Sequence, residues 1–262
     1  MELLKAIILG LVQGFTEFIP ISSSGHLILV GHAINFSYSG LAFDTALDIG
    51  TLVALFIFFW KDFWQLAHDF VLGGEDRKLA GYLLLATIPA VLAGVLVQGL
   101  AETVFRNNAL VAFNLIWVGI LMLLIDRLPQ VIKKIQDVKL SQAMAIGTAQ
   151  MLALVPGTSR SGITITAGRA LKLDRVTATR FSFLLSAPVI TGATLKVLAS
   201  GKTIGDMVAA PSLYVAGIIS AALAGYVSIK FLISYLSKHG LAIFAYYRVV
   251  VGVIILLMVG LG

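Results

Sequence analysis

Six long, predominantly apolar stretches constrain this chain more than any other feature of its sequence. They cover roughly 42–60, 79–98, 110–126, 181–199, 212–236 and 241–262. A helix needs about 20 apolar residues to cross a bilayer, so each stretch predicts one transmembrane helix. Of the 262 residues only 12% are charged, about half the fraction usual in a soluble domain. The sequence therefore predicts an all-α membrane protein, with residues 1–262 forming a single integral membrane domain.

Two further regions are apolar but broken by Pro, Gly and Ser. Residues 6–19 run into PISSSGH at 20–26, and residues 143–155 run into PGTSRSG at 156–162. A short apolar piece follows each break, at 27–34 and at 163–171. This pattern is typical of a re-entrant broken helix, and irregular backbone is tolerated at membrane depth only where it lines a polar cavity.

The two broken regions match each other when the chain is shifted by 137 residues. The shift pairs Gly10 with Gly147, Gln13 with Gln150, Ser22 with Ser159 and Ser24 with Ser161. We therefore predict an inverted-topology repeat with halves at about 1–127 and 138–262. Each half would hold one re-entrant broken-helix hairpin and three transmembrane helices, an odd number that inverts the second copy.

The basic residues predict the orientation of this repeat. With the N-terminal hairpin outside, fourteen Lys and Arg residues, including Arg169 and Arg248, fall in the segments 61–78, 127–140, 169–180 and 230–248. Four fall in outer segments, and Arg160 belongs to a break. Cytoplasmic loops carry the excess of positive charge, so loops 101–108 and 201–206 are expected outside. No signal-peptide pattern precedes the first helix, so the whole chain is expected to be mature.

Ionisable residues at membrane depth are functional candidates. Glu17 lies one helical turn after Gln13, and His26 follows Ser22, Ser23 and Ser24 in the first break. Freed backbone N–H groups and a helix N-terminus bind anions. Arg160, between Ser159 and Ser161, adds a fork of donors suited to phosphate. If the breaks meet, they form a pocket for an oxygen-rich anion, and phosphate is the obvious choice.

Each of these residues also has a purely structural interpretation. Glu17 could serve only as the ion-pair partner of Arg160, His26 could cap a helix, and the serines could satisfy free backbone groups. Asp44 fits a helix end, and Asp48 fits the rim of the site. The chain has no cysteine, and its four histidines are too dispersed for a zinc site. No Lys/Arg run exceeds two residues, so nucleic acid is not expected as a partner.

A family resemblance rests on these same motifs. LGLVQGFTEFIPISSSGHLILVGH at 9–32 resembles the first signature of the undecaprenyl-diphosphate phosphatases, the bacitracin-resistance family, and PGTSRSGITIT at 156–166 resembles the second. FSFLLSAPVITGA and FAYYRVVVG extend the resemblance over essentially the whole chain. It implies hydrolysis of undecaprenyl diphosphate to the monophosphate, which recycles the cell-wall lipid carrier. The expected location is the bacterial inner membrane, with the site open to the outer face.

The resemblance places the family's functional residues on Gln13, Glu17, Ser22, Ser23, His26, Ser159, Arg160, Ser161 and Thr164. We expect catalysis at Glu17, Ser23, His26 and Arg160, and substrate binding at Gln13, Ser22, Ser24, Ser159, Ser161 and Thr164. Many family members have Glu where this chain has Gln13, so the acid–base work here rests on Glu17. A Mg²⁺ or Ca²⁺ ion could bridge Glu17 and the diphosphate, although the sequence does not require one.

Two questions stay open at the level of sequence. The nucleophile is either Ser23, expected to approach the imidazole of His26 at the turn, or a water activated by Glu17. The activity could instead be that of a secondary transporter or flippase of a phosphorylated lipid, because broken inverted repeats suit alternating access. The function of an ion channel has less support, since the sequence offers no ring of like charges that could line a pore. A type-2 phosphatidic-acid phosphatase is excluded because no histidine follows Arg160 in the segment SGITITAG. A homodimer is left open.

Overall fold

The computed structural model describes residues 1–38, 40–97, 107–199 and 201–261. These residues form helices joined by turns, with no β-strand among them. In chain order the helices are α1 (Glu2–Phe18), α2 (Ser23–Ala33), α3 (Leu41–Phe58), α4 (Trp60–Leu72), α5 (Arg77–Leu96), α6 (Asn108–Ile125), α7 (Leu140–Gln150), α8 (Arg160–Ala170), α9 (Arg175–Ala199), α10 (Lys202–Ala209), α11 (Pro211–Leu236) and α12 (Ala242–Leu261). Short 3₁₀ turns occupy Ile135–Asp137 and Met151–Leu154.

Five of these helices, α5, α6, α9, α11 and α12, are long and apolar enough to cross a membrane. A sixth span results if α3 and α4, which are bent by 77° where they join, count as one. Large apolar side chains point outward from the spans, as expected where lipid is the solvent. Leu92, Leu223 and Leu257, for example, are 59%, 66% and 60% exposed. The prediction of an all-α, multi-pass membrane protein is confirmed.

One predicted connection between spans is a helix and not a loop. The predicted cytoplasmic segment 61–78 is largely the helix α4, with Trp60 and Trp64 exposed on its surface. The predicted outer loop 101–108 lies outside the described residues, apart from Asn107 and Asn108. Its orientation therefore stays a prediction.

Small residues allow the helices to pack closely. Gly10 and Gly14 place α1 against the backbone of α11, where an added Cβ would overlap main-chain atoms of Gly217 and Ala221. Gly147 places α7 against the backbone of α5 in the same way. Helices α6 and α12 also pack together, α3 packs on α11, and α9 packs on α5. Close approach through small residues is usual for helices in a membrane.

Two of the arginines counted above as cytoplasmic loop charges are fully buried, which corrects that count. Arg169 donates to Asp126 and to the carbonyl oxygens of Leu128 and Leu173, so it ties the end of α8 to the end of α6. Arg248 lies within α12 and contacts both breaks, as described below. Without them twelve Lys and Arg residues fall in the predicted cytoplasmic segments and four in the outer ones, so the excess of positive charge is still on the cytoplasmic side.

Candidate active site

Two helix breaks bring the polar residues together. The first break, residues 19–22, joins α1 to α2, and the second, residues 155–159, leads into α8. Each contains a proline and ends on a serine at positive φ. The φ angles are 77° at Ser22 and 70° at Ser159, values that residues with a Cβ rarely adopt. Such strain persists only where the surrounding structure enforces it, and it is concentrated at functional sites.

Glu17, in the last turn of α1, links the two breaks. Its Oε1 forms an ion pair with Nη2 of Arg160, and its Oε2 accepts a hydrogen bond from the Ser23 hydroxyl at 2.6 Å. The side chains of Glu17 and Arg160 are only 8% and 18% exposed. One carboxylate thus holds both a guanidinium suited to phosphate oxygens and a serine hydroxyl, as a base holds a nucleophile.

His26 and Ser23 share no hydrogen bond in the described structure, so the expected pairing of the Ser23 hydroxyl with the imidazole is not observed. Its Nδ1 lies 2.7 Å from the carbonyl oxygen of Ser22, and its Nε2 lies 2.7 Å from the hydroxyl of Tyr247 in α12. Because a carbonyl only accepts, we assign the proton to Nδ1, and the neutral ring then accepts from Tyr247 at Nε2. Both ring nitrogens are occupied, so the Ser23 hydroxyl is left to Glu17.

Gln13 contacts two carboxylates. Its Nε2 donates to Glu17 Oε2 at 3.2 Å and to Asp48 Oδ1 at 2.7 Å. The Gln13 side chain is buried, and its Oε1 accepts no hydrogen bond from the described residues. Asp48, expected at the rim, is therefore in direct contact with the residues around Glu17.

Arg248 holds the two breaks in place. It is completely buried and donates to the carbonyl oxygens of Leu115, Pro20, Asn114, Gly157 and Thr158, at 2.8–3.3 Å. Pro20 belongs to the first break, while Gly157 and Thr158 belong to the second. Carbonyls freed by a helix break must find donors when buried, and one guanidinium supplies several. We missed this role although Arg248 lies inside the predicted span 241–262, where a charge is a functional candidate.

The hydroxyls of the second break are bonded mainly to backbone. Ser159 Oγ accepts from the Gly162 N–H at 3.1 Å and caps α8. Ser161 Oγ donates to the carbonyl oxygen of Glu17 at 3.2 Å. Thr164 is fully buried, and its hydroxyl lies 2.7 Å from the Arg160 carbonyl and 2.6 Å from the Ser182 hydroxyl. These residues surround Arg160, and their role as substrate ligands stays a prediction.

Ser22, which ends the first break, and Ser24, in the first turn of α2, have hydroxyls with fewer hydrogen bonds. Ser22 is buried and Ser24 is exposed, and their Oγ atoms lie 3.4 Å apart. Neither hydroxyl caps α2. They are therefore free to turn toward a ligand, whereas the Ser159 hydroxyl is held by its cap.

A small cavity lies between the breaks. Glu17, Arg160, Ser161, Ser182 and Ser186 supply its polar lining, and its volume is about 10 Å³, about enough for one water. A larger groove of about 500 Å³ lies elsewhere, between α5 and the end of α7, and only apolar side chains line it. The groove has no group that could perform chemistry, so the small polar cavity is the candidate site.

The side chains of the site could bind a hard metal ion only if the substrate supplied further oxygen ligands. No group of three or more His, Cys, Asp or Glu side chains close enough to hold a metal occurs among the described residues. Glu17 and Asp48 are neighbours, but the amide nitrogen of Gln13 lies between them. A Mg²⁺ or Ca²⁺ ion prefers six or more oxygens, so phosphate oxygens would have to complete its coordination.

Comparison with known proteins agrees with the motifs. Residues 6–254 match the family described as Bacitracin resistance protein BacA. The undecaprenyl-diphosphatase of Thermodesulfovibrio yellowstonii is 44% identical over 259 residues, and that of Pelotomaculum thermopropionicum is 42% identical over 260; each alignment covers 98% of this chain and 97% of the relative. The undecaprenyl-diphosphatase of Geotalea daltonii is 40% identical over the whole of both chains. The similarity therefore extends well beyond the two breaks.

Proposed function

Because this chain belongs to the bacitracin resistance protein BacA family, we propose that it hydrolyses undecaprenyl diphosphate to undecaprenyl phosphate and inorganic phosphate. The relatives at 40–44% identity bear the name undecaprenyl-diphosphatase. One observation carries the proposal to this chain's own residues: Glu17 contacts both Arg160 and Ser23. A base, a nucleophile and a phosphate-binding guanidinium thus lie within one set of hydrogen bonds.

Binding of the substrate requires an exchange at Arg160. In the structure its guanidinium is paired with Glu17, and the cavity beside the pair is too small for a diphosphate. We assign the terminal phosphate to the Arg160 fork, which matches two phosphate oxygens and neutralises the charge that develops in the transition state. This exchange frees Glu17 to act as a base.

Ser23 is our choice of nucleophile, since its hydroxyl already donates to Glu17 at 2.6 Å. Glu17 takes the hydroxyl proton while Ser23 Oγ bonds to the terminal phosphorus. The bond from that phosphorus to the bridging oxygen breaks, and the lipid monophosphate leaves. Glu17 then passes its proton to solvent. In the second step Glu17 takes a proton from the water that attacks the phosphoserine, the bond from phosphorus to Ser23 Oγ breaks, and inorganic phosphate leaves. Glu17 returns the proton to Ser23 Oγ, which restores the hydroxyl. Attack by a Glu17-activated water is the alternative.

We assign His26 to proton transfer at the leaving group. The Tyr247 hydroxyl donates to Nε2 in the structure and would turn to donate to the oxygen that gains negative charge. The freed Nε2 would take up a proton from solvent and pass it to that oxygen. The hydroxyls of Ser22 and Ser24, which precede His26 by four and two residues, are proposed to bind the same phosphates. The prenyl tail stays in the lipid.

A divalent cation is a further part of the proposal. When bound, Mg²⁺ or Ca²⁺ would neutralise negative charge on the diphosphate. Glu17 would hold it together with phosphate oxygens, because the described residues offer no complete set of ligands. Loss of phosphate release in chelator, with recovery on adding Mg²⁺ or Ca²⁺, would support this part.

The contacts between helices support an inverted repeat. Helix α1 packs on α11 as α7 packs on α5, and α3 packs on α11 as α9 packs on α5. The closest approaches of α1 and α7 use Gly10 and Gly147, which are paired by the shift of 137 residues. Within this arrangement α1–α2 and α7–α8 would be re-entrant hairpins that enter from opposite sides of the bacterial inner membrane. All residues of the proposed site come from one chain, so a homodimer is compatible with it but not required.

Labelling of single cysteines tests the topology. Gly205→Cys should react with an impermeant thiol reagent in intact cells, because Gly205 is exposed in α10, within the segment 201–206 that is proposed to face outward. Gln136→Cys, which is also exposed, should react only after the cells are opened. The chain has no cysteine of its own, so the background is low. Labelling of position 136 but not 205 in intact cells would reverse the proposed orientation.

Phosphate release by the purified protein in detergent tests the function. A phosphatase turns over without a sealed compartment, whereas a secondary transporter or flippase does not. We expect multiple turnovers with undecaprenyl diphosphate, and none after Glu17→Gln. Transport into vesicles without phosphate release would support the alternative function.

A further inference from the structure

We infer that Asp48 is a second carboxylate of the active site, which acts through Gln13 to position Glu17. The inference deepens the proposed function and rests on it, since Glu17 must be the base for its orientation to matter. It starts from a contact between two helices. Asp48 lies in α3 and Gln13 in α1, yet Gln13 Nε2 and Asp48 Oδ1 are 2.7 Å apart, a good hydrogen-bond distance.

The amide of Gln13 has two different ends. Its nitrogen carries two hydrogens and can serve two acceptors, while its oxygen can only accept. In the structure the nitrogen serves Glu17 Oε2 and Asp48 Oδ1 together. Both carboxylates are acceptors when ionised, so both favour this orientation of the amide.

Nothing else among the described residues holds the amide in that orientation. The Gln13 Oε1 atom is buried and accepts no hydrogen bond from them. If the amide turned over, Oε1 would face Glu17, and two acceptors would be opposed. Asp48 therefore selects the orientation in which Gln13 donates to Glu17.

The same oxygen of Glu17 serves catalysis in the proposed mechanism. Glu17 Oε2 accepts from Ser23 at 2.6 Å and from Gln13 at 3.2 Å. A donor on one side of Oε2 fixes the direction in which it meets the Ser23 hydroxyl. Asp48 touches neither Ser23 nor Arg160 through a hydrogen bond in the described part of the chain, so we class it as a positioning residue.

Neutralising the Asp48 carboxylate tests the inference. Asp48→Asn removes the negative charge and adds an N–H donor beside the remaining acceptor oxygen, so the side chain can also donate to Gln13 Oε1 and the Gln13 amide is permitted to turn over. We expect kcat for farnesyl diphosphate, a short prenyl diphosphate, to fall about 10- to 100-fold, as for other small displacements of a catalytic group. KM should change less than threefold, because Arg160 is untouched.

The exchange variant Gln13→Glu with Asp48→Asn separates positioning of Glu17 from simple pairing of positions 13 and 48. Asn at position 48 can donate to Glu at position 13, so a hydrogen bond between these two positions is restored. Glu at position 13 has no hydrogen to give to Glu17 Oε2, so the contact that orients Glu17 stays lost. We expect kcat at or below that of Asp48→Asn, whereas a role limited to the pair itself would bring kcat back to within about fivefold of the unmodified enzyme.

Controls separate this inference from the proposed function. Asp44→Asn makes the same change one turn earlier in α3 and should stay within about threefold of the unmodified enzyme. If Glu17→Gln keeps activity, the proposed site is wrong. If Glu17→Gln is inactive but Asp48→Asn has normal kcat, only the role of Asp48 is refuted. A folded double variant, with unchanged thermal midpoint, whose kcat returns to within about fivefold of the unmodified enzyme also refutes it.

Discussion

The helix that follows each break begins with a different residue at the same position of the repeat: Ser23 in the first and Arg160 in the second, 137 residues later. The backbone before them is alike, with positive φ at Ser22 and at Ser159. The strained turn therefore does not define the chemistry of either break. Each strained turn directs the next side chain, Ser23 or Arg160, into the space between the breaks. The chemical role of each break therefore depends on the identity of that side chain.

The residues before the breaks differ in the same way. Gln13 is bonded to Glu17 and Asp48, whereas Gln150, its counterpart, is buried with neither its amide nitrogen nor its oxygen bonded to a described residue. The carboxylates thus lie on the side of the first break. The second break contributes a guanidinium and capped hydroxyls. In the proposed enzyme the first half supplies the base and the nucleophile, and the second half supplies the guanidinium that binds the terminal phosphate.

Replacing Ser23 should produce the largest effect. If its hydroxyl is the nucleophile, Ser23→Ala loses several orders of magnitude in kcat, as other serine enzymes do when the nucleophile is removed. If water attacks, the loss of one hydrogen bond to a charged group costs roughly 1.5–3 kcal/mol, about 10- to 150-fold. Acid quenching with substrate labelled in the terminal phosphate decides between them. Label on a peptide containing Ser23 is expected, and unlabelled protein with residual turnover in Ser23→Ala would mean that water attacks.

Replacing Arg160 should have the next largest effect. Arg160→Lys keeps the charge but loses the planar fork, so we expect kcat to fall by about 10²-fold, as for loss of one preorganised donor. The thermal midpoint should hardly change, because a lysine can still pair with Glu17. Near-normal kcat would reduce Arg160 to a structural partner of Glu17, and the two breaks would then not divide the work as proposed.

Arg248 should show the opposite pattern, with stability affected first. Arg248→Met leaves the buried carbonyls of both breaks without their shared donor, at a cost of about 3 kcal/mol or more. For a chain of this size that corresponds to a thermal midpoint lower by roughly 6–12 °C. Light-scattering or intrinsic-fluorescence melts in detergent measure the shift. An unchanged midpoint would show that water or lipid replaces Arg248 and that the breaks do not depend on it.

The sequence predicts the helices better than it predicts the hydrogen bonds of the site. Apolar length identifies the spans, and Pro, Gly and Ser mark both breaks, because these signals are local. The roles of Asp48, Tyr247 and Arg248 depend on helices far apart in the chain that meet in space. Arg248 shows the limit, since charge counting assigned it to a loop while its helix carries it into the protein. The Ser23–Glu17 bond likewise depends on how Ser22 turns the chain.

A comparison of Ser159→Ala with Ser22→Ala should give the smallest effect and test the two breaks most directly. Both substitutions keep a Cβ at positive φ, so the backbone strain is the same before and after. Ser159 Oγ caps the buried N–H of Gly162, whereas Ser22 Oγ caps nothing in α2. Loss of a serine cap costs about 1 kcal/mol, so Ser159→Ala should lower the thermal midpoint by roughly 2–4 °C. Ser22→Ala should leave it unchanged within error and act instead on KM, because its hydroxyl is proposed to bind phosphate. Equal midpoints for the two variants would mean that the cap contributes nothing in this environment. A lower thermal midpoint for Ser22→Ala than for Ser159→Ala would contradict the proposal that the Ser159 hydroxyl stabilises its helix whereas the Ser22 hydroxyl does not.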